Sequence, residues 1–521
     1  MPEQLDSGPW LWEDWLGQQD ALTTYFRPKS VAQLRAFMGM FSTDRLRIRG
    51  IGAGHSTTPV ARPWRRSDDA RRAGIVVRPD AMPLHLPDAA EAWWKPGVLA
   101  AERLFRVEAG ATIETLNQRF FDHGLAFPNL GSYDAQTISG AIATGTHGTG
   151  MATAPLCDLV ASIELLTFLE GANGKAELTH VRVEPKGGPT DRAKFDAASA
   201  THGMVLIDED DAFYSCVVGL GFFGIVTAVT LRLTDAFWLD ETQQLLEWET
   251  LSPQLPALAD QDWLDFLVST RPTVSGPGGL RYKCLVTTRK REPSLGWGNP
   301  RDDARRDRLL AKPQSDDRVK LTKQLSSTAS RHPRLANFFA VETFEEEVKR
   351  KHRSASHHIF RTSIGDLVLA SSAEVSLPFD DVVTAVEAIL ANNAILDAEG
   401  LHHTSPFGVR FSKASKHYLS MAYGRRTCTI EAPLLLYTKA GHGPHQNESS
   451  EQVVSEILKR FTDAMRAACP TARFHHGQRN WNTRADLEAY PKFAAWKTQY
   501  ERFNAFGVFS NGLSEAWNLD P

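Results

Sequence analysis

Apolar and polar positions alternate in some stretches of this chain and recur at helical spacing in others. In YFRPKSVAQLRAFM (25–38) an extended start turns at Pro28. Ser30 is then placed to cap a helix with Val31, Leu34 and Met38 on one face. RLRIRG (45–50) reads as a strand ending in a glycine turn. LFRVEAGATIETLNQRFFDHGLAFP (104–128) reads as a strand, a turn at Gly110 and a helix with Ile113, Leu116 and Phe120 on its inner side, stopped by Gly124. Alternation in IVTAVTLRL (225–233) predicts a buried strand. After Asp235 the texture changes, and 287–334 is rich in Arg, Asp, Pro and Ser, the composition of an exposed insertion. DLVLASSAEVSLPFDDVVTAVEAILANN (366–393) then predicts a strand and a helix with Val382, Val386 and Ile389 in step. FGVRFSKAS (407–415) and RRTCTIEAPLLLYT (425–438) predict two more strands, and 452–468 a helix. Strands and helices thus alternate to residue 235, and a second domain runs from 236 to about 480.

Length agrees, since 521 residues exceed one ordinary core. With 42% apolar and 23% charged residues the composition is that of a soluble globular protein. A formal net charge of -4 argues against nucleic acid or an anionic membrane surface as partner. The five cysteines are scattered singly without a C-x-x-C, which supports neither a disulfide frame nor a zinc knuckle and fits a reducing, cytoplasmic setting. The N-terminus is acidic and lacks the pattern of a signal peptide. The uncharged run 212–231 is long enough to span a membrane, but its glycines and alternation favour a buried strand, so no integral membrane segment is expected. The adjacent pairs His357–His358, His402–His403 and His475–His476 point apart on a strand, so no metal site is expected.

Two glycine patterns compete for a nucleotide. GLGFFG (219–224) satisfies G-x-G-x-x-G, but strand chemistry follows it where a dinucleotide fingerprint needs a helix. RGIGAGHS (49–56) and NLGSYDAQTISGAIATGTHGTG (129–150) form the alternative. The second packs glycines at a density that argues against helix. Successive N–H groups freed by glycine converge on anions, and Thr and Ser add donors, so two such loops suit a pyrophosphate. The imidazole of His55, just past the first loop, is nucleophilic enough to be alkylated by the 8α-methyl carbon of a flavin.

These loops resemble those of the vanillyl-alcohol-oxidase (PCMH-type FAD-binding) flavoproteins, in the branch of aldonolactone and alditol oxidases. RGIGAGHS resembles the loop whose histidine carries FAD covalently, and LGSYDAQTISGAIATGTHGTG the second pyrophosphate loop. VGLGFFGIVTAVTLRL resembles the strand closing the FAD domain; FGVRFSKASKHYLSMAYGR, FHHGQRN and YERFNAFGVFSN resemble later segments. The resemblance implies an α+β protein: a two-subdomain FAD-binding domain (1–235), a mixed substrate or cap domain with a large antiparallel sheet (236–480), and a C-terminal segment (481–521) returning to the first. It implies FAD, covalent through His55, lined by Gly50, Ile51, Gly52, Ala53, Gly54, Ser56, Ser132, Thr137, Gly140, Thr144, Gly145, Thr146, His147, Ile225 and His475. No cysteine stands in the second loop for another covalent link. Gly131 falls where the family controls oxygen access; the alternative is a glycine that only serves the turn.

The implied reaction is hydride transfer from the CH–OH of an alcohol, polyol or lactone to flavin N5, with molecular oxygen reduced to hydrogen peroxide. A dehydrogenase passing electrons to a quinone or cytochrome, and a bulky-alcohol (sterol-type) oxidase, are the alternatives. Arg410 would stabilise the alkoxide; His475 or His476 would accept the proton, or His475 would donate to the flavin N1–C2=O edge. The pocket departs from the family pattern: Gly408 replaces the Glu of Glu-x-Arg, and His476 and Gln478 replace the Trp and Lys of His-Trp-Gly-Lys. Losing both charges implies a shifted, less hydroxylated substrate, with Glu374 and Glu431 as the carboxylates nearest to hand.

Overall fold

The structure is a computed structural model and describes residues 7–13, 20–63, 73–78, 93–258, 263–275, 279–292, 332–348, 352–361, 370–435 and 451–520. Three larger sheets organise it. The first joins β1 (Ser7–Glu13), β2 (Asp20–Phe26), β3 (Leu46–Gly50) and β4 (Ala73–Val77) in the order β1-β2-β4-β3. Helix α1 (Val31–Met38) packs on it, with the Ser30 side chain accepting from Gln33 N and Leu34, Phe37 and Met38 inside.

The second sheet contains β5 (Leu104–Glu108), β6 (Val160–Glu170), β7 (Ala176–Glu184), β8 (Met204–Asp208) and β9 (Ile225–Arg232), in the order β5-β9-β6-β7-β8. Helix α2 (Ile113–Asp122) packs its Ile113, Leu116 and Phe120 against this sheet's core. The uncharged run 212–231 is divided between the helix Asp210–Cys216 and strand β9. Among the described residues no helix is long and apolar enough to cross a membrane.

The third sheet is antiparallel and eight-stranded. Its strands are β10 (Trp238–Glu247), β11 (Asp265–Val268), β12 (Lys283–Glu292), β13 (His352–Ala355), β14 (Ala370–Pro378), β15 (Phe407–Ser412), β16 (Thr427–Leu435) and β17 (Arg473–Phe474), in the order β13-β10-β12-β11-β15-β16-β14-β17. Side chains alternate across such a sheet. Val375, Ile430, Val409 and Phe266 face the long helices α5 (Val382–Ala398) and α6 (Glu451–Ala468) in one core. The opposite face carries Glu374, Glu431 and Arg410. Residues 287–292 complete β12 and 336–347 form a helix, so the expected exposed insertion is shorter than 287–334; 293–331 lies outside the described residues.

The chain's last part returns to the first sheet. Ile48 N donates to Val508 O at 3.0 Å, and Asn511 Nδ2 reaches Val60 O at 3.1 Å. Trp496, Tyr500 and Phe503 bury themselves in the core of the second sheet.

Candidate active site

Strand β3 ends at Gly50 because the chain there enters a loop, Ile51 to Ser56, with Gly54 at φ 70°. The loop presses on the second glycine segment so closely that a Cβ at Gly52 would fall on Thr137 Oγ1. Contrary to the expectation from glycine density, that segment contains a two-turn helix, α3 (Ile138–Thr144). Thr137 caps its start, Gly145 at φ 82° ends it, and only Gly140 lies inside, while Ile138, Ala141 and Ile142 anchor it in the core. Helix α4 (Asp210–Cys216) leads into GLGFFG, which then delivers Ile225 to the start of β9.

These pieces line a cavity open to solvent, with about 900 Å³ of empty space. Of the residues expected to hold a cofactor, Gly50, Ile51, Gly52, Ala53, Gly54, His55, Ser56, Thr137, Gly140, Thr144 and Ile225 line it. Gly221 and Gly224 of GLGFFG line it too, so this motif serves the cavity without being a dinucleotide fingerprint. His55 stacks on Tyr133 with ring centroids 4.4 Å apart, which puts Ser132 beside the cavity loop rather than on its wall. Gly145 and Thr146 shape the turn after α3. A Cβ at Gly131 would lie 3.3 Å from His147 O and Thr146 Cγ2, close enough that the loop would have to give slightly.

The eight-stranded sheet meets the cavity at Gly477. A Cβ there would lie 3.0 Å from Ser56 Oγ and 3.2 Å from Thr144 Cβ, and its carbonyl accepts from Thr57 N at 2.9 Å. Beside it, Glu374 and Glu431 are register partners, and Glu431 is also the partner of Gly408. Arg410 Nη1 lies 2.8 Å from Glu431 Oε2 and 3.5 Å from Glu374 Oε2. Gln478 Nε2 donates to Glu431 Oε1 at 3.3 Å, and Ser372 Oγ donates to Gln478 Oε1 at 3.0 Å. The carboxylate missing at 408 is therefore present one strand over, at 431.

Comparison with known proteins agrees with this layout. Residues 23–172 match the FAD binding domain family, and residues 288–517 match D-arabinono-1,4-lactone oxidase. The chain belongs to the PCMH-type flavoproteins, in their aldonolactone oxidase branch. A relative from Mycobacterium tuberculosis, L-gulono-1,4-lactone dehydrogenase, is 24% identical over 96% of this chain and 97% of its own. The alditol oxidase of a Streptomyces species is 30% identical over 36% of this chain and 33% of its own. The fold is also that of cholesterol oxidase from B. sterolicum, with a TM-score of 0.68 at 13% identity over 99% of this chain and 98% of that one. As a member of the branch, this flavoprotein is an FAD-dependent oxidoreductase.

The cavity fits FAD on its own evidence. Arg49 lines it, is 1% exposed and spends its N–H groups on the carbonyls of Val60, Gly221, Leu220 and Phe509. Burial pulls its pKa down to about 9 and, among the described residues, no carboxylate offsets that. A pyrophosphate would balance this charge. The Gln136 Oε1 atom on the same wall is buried without a partner.

In this flavoprotein the two candidate proton acceptors have different surroundings. His475 Nδ1 accepts from Gly477 N (3.0 Å) and Gln478 N (3.1 Å), so the ring hydrogen sits on Nε2. Burial, reinforced by His147 and His55 and opposed by Glu374, lowers its pKa to about 4. The ring is a neutral donor, which suits the flavin-edge alternative and not proton acceptance. His476 turns away from the cavity. Its Nε2 donates to Leu419 O at 2.9 Å, its ring lies near Tyr490 and Trp517, and burial lowers its pKa to about 4. His147 also departs from expectation: its ring engages Gly148 O and Glu374 and is absent from the cavity wall. Arg49 and the His147–Glu374 pair went unread in the sequence. Arg49 stood inside a quoted motif, whereas nothing local signals a pair 227 residues apart.

Proposed function

We propose that this protein oxidises the CH–OH group of a hydroxylated alcohol, polyol or lactone at an FAD held in the glycine cavity, with oxygen as acceptor. The observation that carries the reading is the junction at Gly477, where a cavity of about 900 Å³ meets the half-exposed polar cluster Arg410, Glu431 and Gln478. When bound, FAD would take a hydride from the donor carbon and return two electrons to oxygen as hydrogen peroxide.

The chain's own groups would do the rest. His55 would carry the covalent link from the cavity wall, and the glycine loops would hold the pyrophosphate, with the buried charge of Arg49 behind them. His475 would donate from Nε2 to the electron-rich edge of the ring. Burial opposes the charge of Arg410, but Glu431 and Glu374 outweigh that and raise its pKa, so it stays cationic and can stabilise a developing alkoxide. Glu431, less enclosed than Glu374, would accept the donor hydroxyl's proton or hydrogen bond. Arg410 and Glu431 on one sheet face, with Gln478 beside them, suit hydroxyl groups better than a sterol, against the less hydroxylated substrate expected from the charges lost at 408 and 478, even though the fold is shared with cholesterol oxidase.

A dehydrogenase is the second reading. A relative matched along nearly the whole chain is a dehydrogenase. The test is anaerobic mixing with alditols, aldonolactones, aldoses and apolar alcohols while flavin absorbance is followed, then exposure to oxygen or to a dye. Bleaching by a lactone or polyol with rapid reoxidation by oxygen supports the oxidase. Reoxidation by dye alone gives the dehydrogenase, and absence of bleaching with every donor defeats both.

A further inference from the structure

Both ring nitrogens of His147 face oxygen atoms. Nδ1 lies 2.9 Å from the Gly148 carbonyl and Nε2 lies 3.0 Å from Glu374 Oε1. A carbonyl and an ionised carboxylate only accept, so both nitrogens donate and the ring is an imidazolium. The pair is closed to water, with side chains 6% and 3% exposed. Its members come from different parts of the molecule: His147 from the loop after α3, Glu374 from β14 of the eight-stranded sheet. Glu374 holds two further site residues. Its carbonyl accepts from His475 N at 3.0 Å, and its second carboxylate oxygen faces Arg410 at 3.5 Å.

The titration behaviour agrees with this geometry. Burial alone would strip the charge from His147, but Glu374 reverses the direction and raises its pKa. Burial would likewise neutralise Glu374, yet His147, then His475 and Arg410, bring its pKa down to about 2. The charged groups facing His147 are Glu374 and Arg410; His475 stands behind Glu374, and Gly148 contributes only its carbonyl.

A buried ion pair is weak evidence for stability, because an apolar pair of similar volume often serves as well, and its best-attested use is to set register. Here it ties the loop bordering the cavity to the sheet that carries Arg410 and Glu431. We propose that His147 and Glu374 are a positioning pair that seats the cofactor loop on the substrate sheet, each cancelling the other's buried charge. The role toward the cofactor rests on the FAD reading given above; the protonation of His147 does not. Removing His147 alone would leave the buried Glu374 carboxylate uncompensated, which disfavours a cofactor that becomes electron-rich on reduction.

The test combines a measurement on the unaltered protein with a double-mutant cycle. In protein labelled with 15N-histidine, both His147 ring nitrogens should be protonated at about pH 7, and in Glu374→Gln the ring should be neutral at that pH. In the flavin-loaded protein, His147→Gln should lower the cofactor's midpoint potential. Each single substitution should slow flavin reduction by a donor about 10- to 100-fold, as small misplacements do. The double variant should be no slower than the worse single variant. A neutral His147 at about pH 7 in the unaltered protein, an unmoved potential, or losses that multiply in the double variant would each overturn the pair. The nitrogen measurement needs neither a substrate nor a stable variant. Failure of every donor to bleach the flavin would therefore defeat the functional reading and leave the pair to be judged by its protonation.

Discussion

The glycine cavity and the sheet face beside it do similar work with opposite materials. Around the cavity the surfaces are backbone and small side chains, brought close because Gly52 and Gly221 leave no Cβ in the way of Thr137 and Arg49. On the sheet face the surface is charged side chains, Glu374, Arg410 and Glu431, each balanced by a neighbour on another strand or loop. A backbone cradle tolerates little variation where an added carbon collides, as at Gly52 and Gly221. A charge network tolerates relocation: a carboxylate absent at Gly408 is supplied from Glu431, its cross-strand partner. Cofactor binding should thus be sensitive to volume, and substrate handling to charge.

The largest effect should come from volume in the cavity. Gly52→Val would drive a side chain into Thr137 and weaken flavin retention at least ~10-fold, ~1.4 kcal/mol, measured as flavin absorbance per polypeptide after gel filtration. Retention unchanged in that variant would break the contrast. Arg410→Ala should leave flavin content intact but lower turnover by about 10- to 1,000-fold, the worth of one oxyanion donor, and leave Glu431 without its cation. An equal loss of flavin would show that the two regions are not separable.

His55→Ala sharpens the cofactor side. It should abolish flavin fluorescence from the denatured polypeptide while the protein still folds; a fluorescent band that persists removes His55 from the link.

A pH effect follows from the neutral histidines. The unfolded chain takes up protons on His475 and His476 from about pH 6.5 downward. The folded rings wait until about pH 4. Stability should therefore fall as pH drops through that window, by about 1–3 kcal/mol per histidine. Melting temperatures should fall less steeply in His476→Asn, and an identical slope would show that His476 does not contribute. The smallest effect is expected at Gly131→Ala, where the new carbon meets the His147 carbonyl at 3.3 Å. Reoxidation by oxygen should change by less than about threefold, near the edge of what ordinary packing shifts produce. A large change would make this glycine an oxygen gate after all.

Much of this architecture was legible in the chain itself. Ser30 as a cap, the inner face of Ile113, Leu116 and Phe120, and the strand–helix passage 370–398 follow from local spacing and capping chemistry. The loops 49–56 and 129–150 announce an anion site because glycine acts where it stands, through its own φ and its own missing Cβ. The helix inside the second loop was hidden, because glycine density was averaged over a segment in which most glycines flank the helix rather than interrupt it.

What tertiary structure alone decided is which charges meet. Alternation in AEVSL, TIEAP and GVRFS sets Glu374, Glu431 and Arg410 opposite apolar neighbours, but it does not say which strands lie side by side. Register puts Glu431 between Glu374 and Gly408, and the docking of the sheet on the cavity at Gly477 puts Glu374 on His147 and turns His476 away. The physical reason is the reach of each interaction. Propensity, capping and glycine geometry act over a few residues of chain. An ion pair across 227 residues exists only once the whole fold has brought its partners together.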